Sequence, residues 1–191
     1  MSNMSSSTTE TRITTHDLVL FALFAVLITV GAYIRVPIPY VPFTLQVLFT
    51  TLAGLLLGGK RGAMAVFLYV LLGLVGVPVF TQGGGPSYIL QPSFGYLLGF
   101  IGGAYITGRI AHDVKMISLQ RFMVAGVAGL AIVYLCGMAY VYMINNLYLG
   151  TPIGLYALFL YCFLLAIPGD IILVIVAALL GKRLLPLVRN K

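Results

Sequence analysis

The chain has 191 residues, 61% hydrophobic and 8% charged, with mean hydropathy +1.08 and a formal net charge of +7. A soluble domain needs a far more charged surface, so the balance excludes a soluble enzyme or binding module and indicates a polytopic membrane protein with one compact helical domain. The bases stand in short clusters between apolar runs, which is a pattern of membrane topology and not of nucleic-acid binding.

Residues 1–15 are polar and rich in Ser and Thr, and are expected to form a disordered cytoplasmic tail with no secretory signal. The apolar runs then predict six helices within a membrane domain spanning 16–185. The first covers about Leu18 to Ile34, with Thr15 and Asp17 as capping candidates and Arg35 and Pro37 ending it. Pro37, Pro39 and Pro42 make the next segment a loop. The second helix covers about Phe43 to Leu57, Gly58 to Gly62 form a turn, and the third helix covers about Ala63 to Val77.

Residues 78–92 contain Pro78, the triplet Gly83-Gly84-Gly85, Pro86 and Pro92, which break any helix. Phe80, Tyr88, Ile89 and Leu90 make the stretch too apolar for a solvated linker, so a lid folded over the bundle is expected. The fourth helix covers about Ser93 to Ile110, where Gly99 and Gly103 permit close helix contact. A charged connection (111–121) leads to the fifth helix, about Phe122 to Ile144, and a turn after Asn145-Asn146 leads to the sixth, about Ile153 to Leu180. Residues 186–191 read as a basic cytoplasmic tail. Cys136 and Cys162 lie in apolar runs as small hydrophobes, and His16 and His112 are too far apart in sequence to suggest a metal cluster.

With the N-terminus in the cytoplasm, ten of the eleven bases fall inside and Arg35 alone falls outside, so both termini are expected to be cytoplasmic. Loops 35–42, 78–92 and 145–152 then face out.

Of the four acids, only Asp170 lies deep in an apolar run. It stands eleven residues before Gly181, roughly 16 Å from the inner end and near mid-membrane. An ionisable group at that depth faces a bundle interior or wet cavity and has a partner. Three readings follow: a buried structural carboxylate, a proton or cation carrier, or a ligand acceptor in an outward-opening pocket. The absence of a second intramembrane acid argues against a proton relay. Pro168 frees the carbonyl of Leu164 and is expected to kink the helix.

Gln46, Gln82, Gln91, Asn145 and Asn146 all fall in the outer half. They suit a polar, uncharged ligand group, while helix capping is the other reading of the two Asn. Tyr33, Tyr40, Tyr88, Tyr96, Tyr140, Tyr142, Tyr148 and Tyr156 also crowd outward, either as an interface belt or as aromatic walls of a pocket. The Gly83–Gly85 amides can meet an anion or simply give a flexible loop. Arg35 can pair with a carboxylate or snorkel to headgroups. Ala22, Ala25, Thr29 and Ala32 share one face of the first helix, a docking surface for a partner or for the bundle itself. No phosphate-binding loop is present, so concentrative transport needs an ion gradient or another protein.

Several stretches resemble the BioY family, the biotin-specific substrate-binding (S) components of energy-coupling-factor (ECF) transporters. They are Val41-Pro42-Phe43-Thr44-Leu45-Gln46, Leu55-Leu56-Leu57-Gly58-Gly59-Lys60-Arg61-Gly62, Gly76-Val77-Pro78-Val79-Phe80, Gln91-Pro92-Ser93-Phe94-Gly95-Tyr96-Leu97-Leu98-Gly99-Phe100 and Ile167-Pro168-Gly169-Asp170, in order from about 17 to 185. The resemblance implies an all-α integral membrane protein with six transmembrane helices and the S-component fold, in the bacterial cell membrane. It further implies high-affinity biotin binding near the outer face, with biotin as cargo and no cofactor, and coupling to a transmembrane T component and two cytoplasmic ATPases.

A small-residue motif on the first helix docks the T component in such proteins. Ala22, Ala25 and Thr29 stand in for it here, with Val26 where a strict Ala-x-x-x-Ala from Ala22 would end. Many members carry a lysine three residues after the aspartate, where this chain has Leu173. On this resemblance Asp170 accepts from a urea N–H of biotin, Asn145 or Gln46 donates to the urea oxygen, and Tyr142, Tyr88 and Phe94 flank the rings. The valerate carboxylate points toward Arg35, Gln91 or the amides of Gly84 and Gly85. A stand-alone ion-coupled carrier of a small polar ligand is the alternative.

Overall fold

The computed structural model describes residues 13–113 and 118–189. Most of the predicted tail, the middle of the 111–121 connection and the last two residues lie outside the described residues. The chain forms α1 (Thr15–Tyr33), β1 (Arg35–Val36), β2 (Phe43–Thr44), α2 (Gln46–Leu57), α3 (Gly59–Val75), a 3-10 turn (Pro86–Leu90), α4 (Phe94–His112), α5 (Leu119–Leu147), α6 (Leu155–Phe159), a π-helical turn (Leu160–Leu164) and α7 (Ile167–Arg189). Three helical stretches are long and apolar enough to cross a membrane: Thr15–Tyr33, Leu119–Leu147 and Leu155–Val188, the last joining α6 to α7. Counting that stretch once gives six helices among the described residues. α2 is apolar but only 12 residues long, a rise of about 18 Å.

Several boundaries differ from the sequence expectation: α5 is three residues longer at each end, and the last helix runs to Arg189, past the expected end near Leu180 and into the segment expected to be a tail. The cap of α1 is Thr14. Its hydroxyl accepts from the Asp17 N–H at 3.2 Å, and the Asp17 carboxylate accepts from the Thr14 N–H at 2.9 Å, a reciprocal capping box.

The proline-rich loop is a short antiparallel hairpin that pairs Arg35 with Thr44 and Val36 with Phe43, so Phe43 belongs to a strand and α2 starts at Gln46. The turn between α2 and α3 shrinks to Gly58, at φ 82°, and Gly59 already begins α3. The sixth helix carries a π turn at Leu160–Leu164 within one continuous helical stretch. Pro168 sits in the first turn of α7, where a missing N–H costs nothing, and the chain before it relaxes through the π turn.

Small residues set the helix spacing. A Cβ on Gly99 would meet the Val133 Cα at 2.8 Å, and one on Gly129 would meet the Thr107 Oγ1 at 2.0 Å, so α4 and α5 run in backbone contact as Gly99 and Gly103 anticipate. At the end carrying Lys60, Arg61, Arg109 and Arg121, polar ties hold the helices. Arg61 Nε pairs with Asp17 Oδ1 at 3.2 Å, the His112 ring bonds the Leu55 carbonyl at 2.8 Å, and Arg121 Nε donates to the Ile110 carbonyl at 2.6 Å. His16 and His112 do line one cavity there, with Asp17 and Arg61. Among the described residues no group of three or more His, Cys, Asp or Glu could hold a metal ion. Of the cysteines, Cys162 is buried as expected, but Cys136 lies on the exposed face of α5.

At the other end, residues 78–92 fold onto the bundle. The Phe80 ring is fully buried where a side chain on Gly73 would be, and it packs edge-on against Tyr69 at 5.5 Å and tilted against Tyr88 at 4.4 Å. The Gly85 N–H donates to the Gly73 carbonyl at 2.7 Å, Tyr69 Oη donates to the Val79 carbonyl at 3.1 Å, and Tyr33 Oη donates to the Pro78 carbonyl.

Candidate functional site

A cavity lies between the hairpin, the 78–92 segment, α4, α5 and the π turn before α7. Val41, Val47, Leu97, Phe100 and Val133 give it apolar walls, and Phe43 and Tyr161 add aromatic ones. Thr44, Gln46, Thr81, Tyr88, Ser93, Tyr96, Tyr134 and Asp170 supply its polar groups.

Asp170 is built into this wall by its own motif. Pro168 starts α7, and Gly169 leaves room for the Phe43 ring, whose Cε2 would stand 2.7 Å from a Cβ there. Asp170 follows in the first turn of α7, where the positive end of the helix dipole favours negative charge. The residue is 5% exposed. Its Oδ2 accepts from Tyr134 Oη at 2.5 Å, while its buried Oδ1 accepts no hydrogen bond among the described residues. A buried carboxylate oxygen without a donor is costly, which is a physical reason to expect a ligand N–H or O–H there.

The sequence candidates divide. Asp170, Gln46 and Tyr88 come together on the cavity wall. Gln46 is already engaged: its Nε2 donates to Tyr69 Oη at 2.8 Å and its Oε1 accepts from Thr44 Oγ1 at 3.1 Å. Tyr88 Oη lies 2.8 Å from Thr81 Oγ1 and 3.2 Å from Ser93 Oγ.

The others lie off this wall. Asn145 Nδ2 donates to the Val141 carbonyl at 2.9 Å and its Oδ1 accepts from Thr151 Oγ1, so its amide serves its own helix end. Tyr142 is exposed, Gln91 is exposed, and Phe94 packs edge-on against Tyr140 at 5.8 Å. The glycine triplet anchors the loop: Gly83 and Gly85 adopt φ of 107° and 111°, and a Cβ on Gly84 would meet the Val77 carbonyl at 2.2 Å. Arg35 donates from Nη1 to the Thr81 carbonyl and, with Tyr40, Pro42 and Gln82, lines a second cavity beside the hairpin. On α1, Ala25 and Ala32 are buried in the bundle, whereas Ala22 is exposed beside Leu18, Val19 and Val26. Thr29 Oγ1 donates back to the Ala25 carbonyl at 2.8 Å.

Sequence reasoning missed Tyr134 and passed over Tyr96 and Tyr161 as site residues. Tyr134 lies near the middle of the fifth apolar run, at the depth estimated for Asp170. A hydroxyl matched in depth to a lone acid is the signal that would have found it.

A family model described as the BioY family matches residues 4–190. The chain is 44% identical over 176 residues to a probable biotin transporter BioY of Lysinibacillus sphaericus, covering 92% of this chain and 90% of that one. It is 39% identical over 171 residues to the biotin transporter BioY of Thermotoga maritima, covering 88% and 95%. Its fold is similar to the crystal structure of the S-component for biotin from an ECF-type ABC transporter, with a TM-score of 0.76, 26% identity, and coverage of 94% of this chain and 96% of that one.

Proposed function

The chain belongs to the BioY family, and on that premise we propose that it binds biotin in the Asp170 cavity as the substrate-specificity subunit of an ECF-type ABC transporter in the bacterial cell membrane. The observation that carries the site is the unpartnered Oδ1 of Asp170. Biotin offers a cyclic urea with two N–H donors and one carbonyl, an apolar sulfur ring and a carboxylate tail. A urea N–H donating to Oδ1 makes a charge-assisted hydrogen bond. The sulfur ring suits the wall of Val47, Leu97, Phe100 and Val133, and the carboxylate is best kept away from Asp170, toward the hydroxyls of Thr81, Tyr88 and Ser93. Leu173, three residues after Asp170, is apolar and adds no cation at that position, which favours the same orientation.

The N-terminus and the basic end are assigned to the cytoplasm. Lys60, Arg61, Arg109, Arg121, Lys182 and Arg183 support that orientation. The hairpin and the 78–92 segment then cap the cavity on the outer side. Energy comes from a T component and two cytoplasmic ATPases, and the exposed face of α1 around Ala22 is offered to the T component. Biotin uptake is measured in cells lacking all T components and coupling ATPases, with and without a co-expressed partner module. Accumulation only with the module is expected. Accumulation without it, abolished by an uncoupler, would mark an ion-coupled carrier.

A further inference from the structure

We propose that Tyr134 sets the ligand selectivity of the cavity by occupying one carboxylate oxygen of Asp170, so that the site offers a single acceptor, matched to one N–H of a neutral urea, and disfavours a forked cationic donor. This rests on the reading of the cavity as the biotin site.

A free carboxylate has two oxygens and pairs best with a planar fork of two N–H groups, as in a guanidinium. Here Oδ2 is taken by Tyr134 Oη, and Oδ1 is left without a partner among the described residues. Tyr134 has little freedom to give way. It is 5% exposed and held edge-on between Tyr96, at 6.2 Å and 83°, and Phe163, at 5.0 Å and 73°. Tyr96 is fixed in turn. Its Oη donates to the Cys162 carbonyl in the π turn at 2.7 Å, and its ring fills the space a side chain on Gly137 would need. The aromatic group therefore links the π turn before α7 to the direction of the Asp170 carboxylate. Tyr134 is a positioning residue in this scheme, acting on the ligand through Asp170.

The test pairs Tyr134→Phe with two ligands: biotin and its cyclic-guanidine analogue, in which a protonated imine replaces the urea oxygen. Binding of both to purified wild-type protein and variant is measured by calorimetric titration. Wild type is expected to bind biotin more tightly than the analogue, despite the analogue's opposite charge to Asp170. Tyr134→Phe frees Oδ2 for the second arm of the fork. Biotin affinity is expected to fall about fivefold to tenfold while analogue affinity holds or rises, narrowing the ratio at least fivefold.

Equal losses for both ligands would mean a purely structural tyrosine and overturn the proposal, as would no change for either. If the variant fails to fold, the wild-type pair still decides: tighter binding of the analogue than of biotin overturns the proposal. Failure of wild type to bind biotin at all would instead defeat the underlying assignment of the site.

Discussion

The ring of Phe43 occupies the space that any side chain at Gly169 would need, with Cε2 and Cζ both 2.7 Å from the position of a Cβ there. This contact seats the hairpin directly on the start of α7, one residue before Asp170. Gly169→Ala is therefore expected to push Phe43 and the hairpin off the cavity. Overpacking of this kind costs about 1–3 kcal/mol, and biotin affinity is expected to fall roughly tenfold by titration. Gly154→Ala, at a position with nothing within 4 Å, serves as the control and should leave affinity unchanged.

The hairpin also shows where sequence reading stopped. Strands of two residues leave no alternating pattern, and Pro37, Pro39 and Pro42 look like a loop whether or not their flanks pair. The π turn in the last long helix has the same character. Leu160 to Leu164 contain no Gly or Pro, and the only cue is Pro168 four residues beyond, which frees the Leu164 carbonyl.

Long apolar runs and glycine spacing did carry the helices and the α4–α5 contact, because both follow from periodicity alone. In the site, Asp170 was legible because a lone acid in hydrocarbon has to be satisfied. Gln46 and Tyr88 also reach the cavity, but the chemistry of an Asn or Gln does not say whether its amide serves a ligand or its own backbone. Asn145 bonds Val141 and Thr151. Arg35 likewise holds a main-chain carbonyl, which no charge count could show.

Arg35 ties the hairpin to the 78–92 segment through the Thr81 carbonyl, while the Thr81 hydroxyl meets Tyr88 on the cavity wall. Removing that hydrogen bond at an exposed guanidinium costs about 1 kcal/mol. Arg35→Ala is expected to speed biotin dissociation about fivefold with little change in association, measured by chase of labelled biotin from detergent-solubilised protein. A slowed association with unchanged dissociation would indicate ligand capture by Arg35 instead.

Tyr69 bridges Gln46 and Val79, accepting from the amide and donating to the carbonyl. Tyr69→Phe leaves both groups short of a partner inside the bundle, at a cost of about 1–3 kcal/mol. A thermal midpoint lower by roughly 3–8 °C is expected. Biotin affinity should stay within about threefold of wild type, since Tyr69 lies behind the wall and not on it.

Calorimetric titration of biotin into Asp170→Asn tests most directly whether the free oxygen of Asp170 receives a urea N–H of biotin. The amide keeps the shape of the side chain and its contact with Tyr134 but loses the charge in either orientation. A hydrogen bond to a charged group contributes about 1.5–3 kcal/mol, so the predicted result is a Kd raised roughly tenfold to hundredfold in a protein that elutes and melts like wild type. A Kd within twofold of wild type in such a folded variant would contradict it.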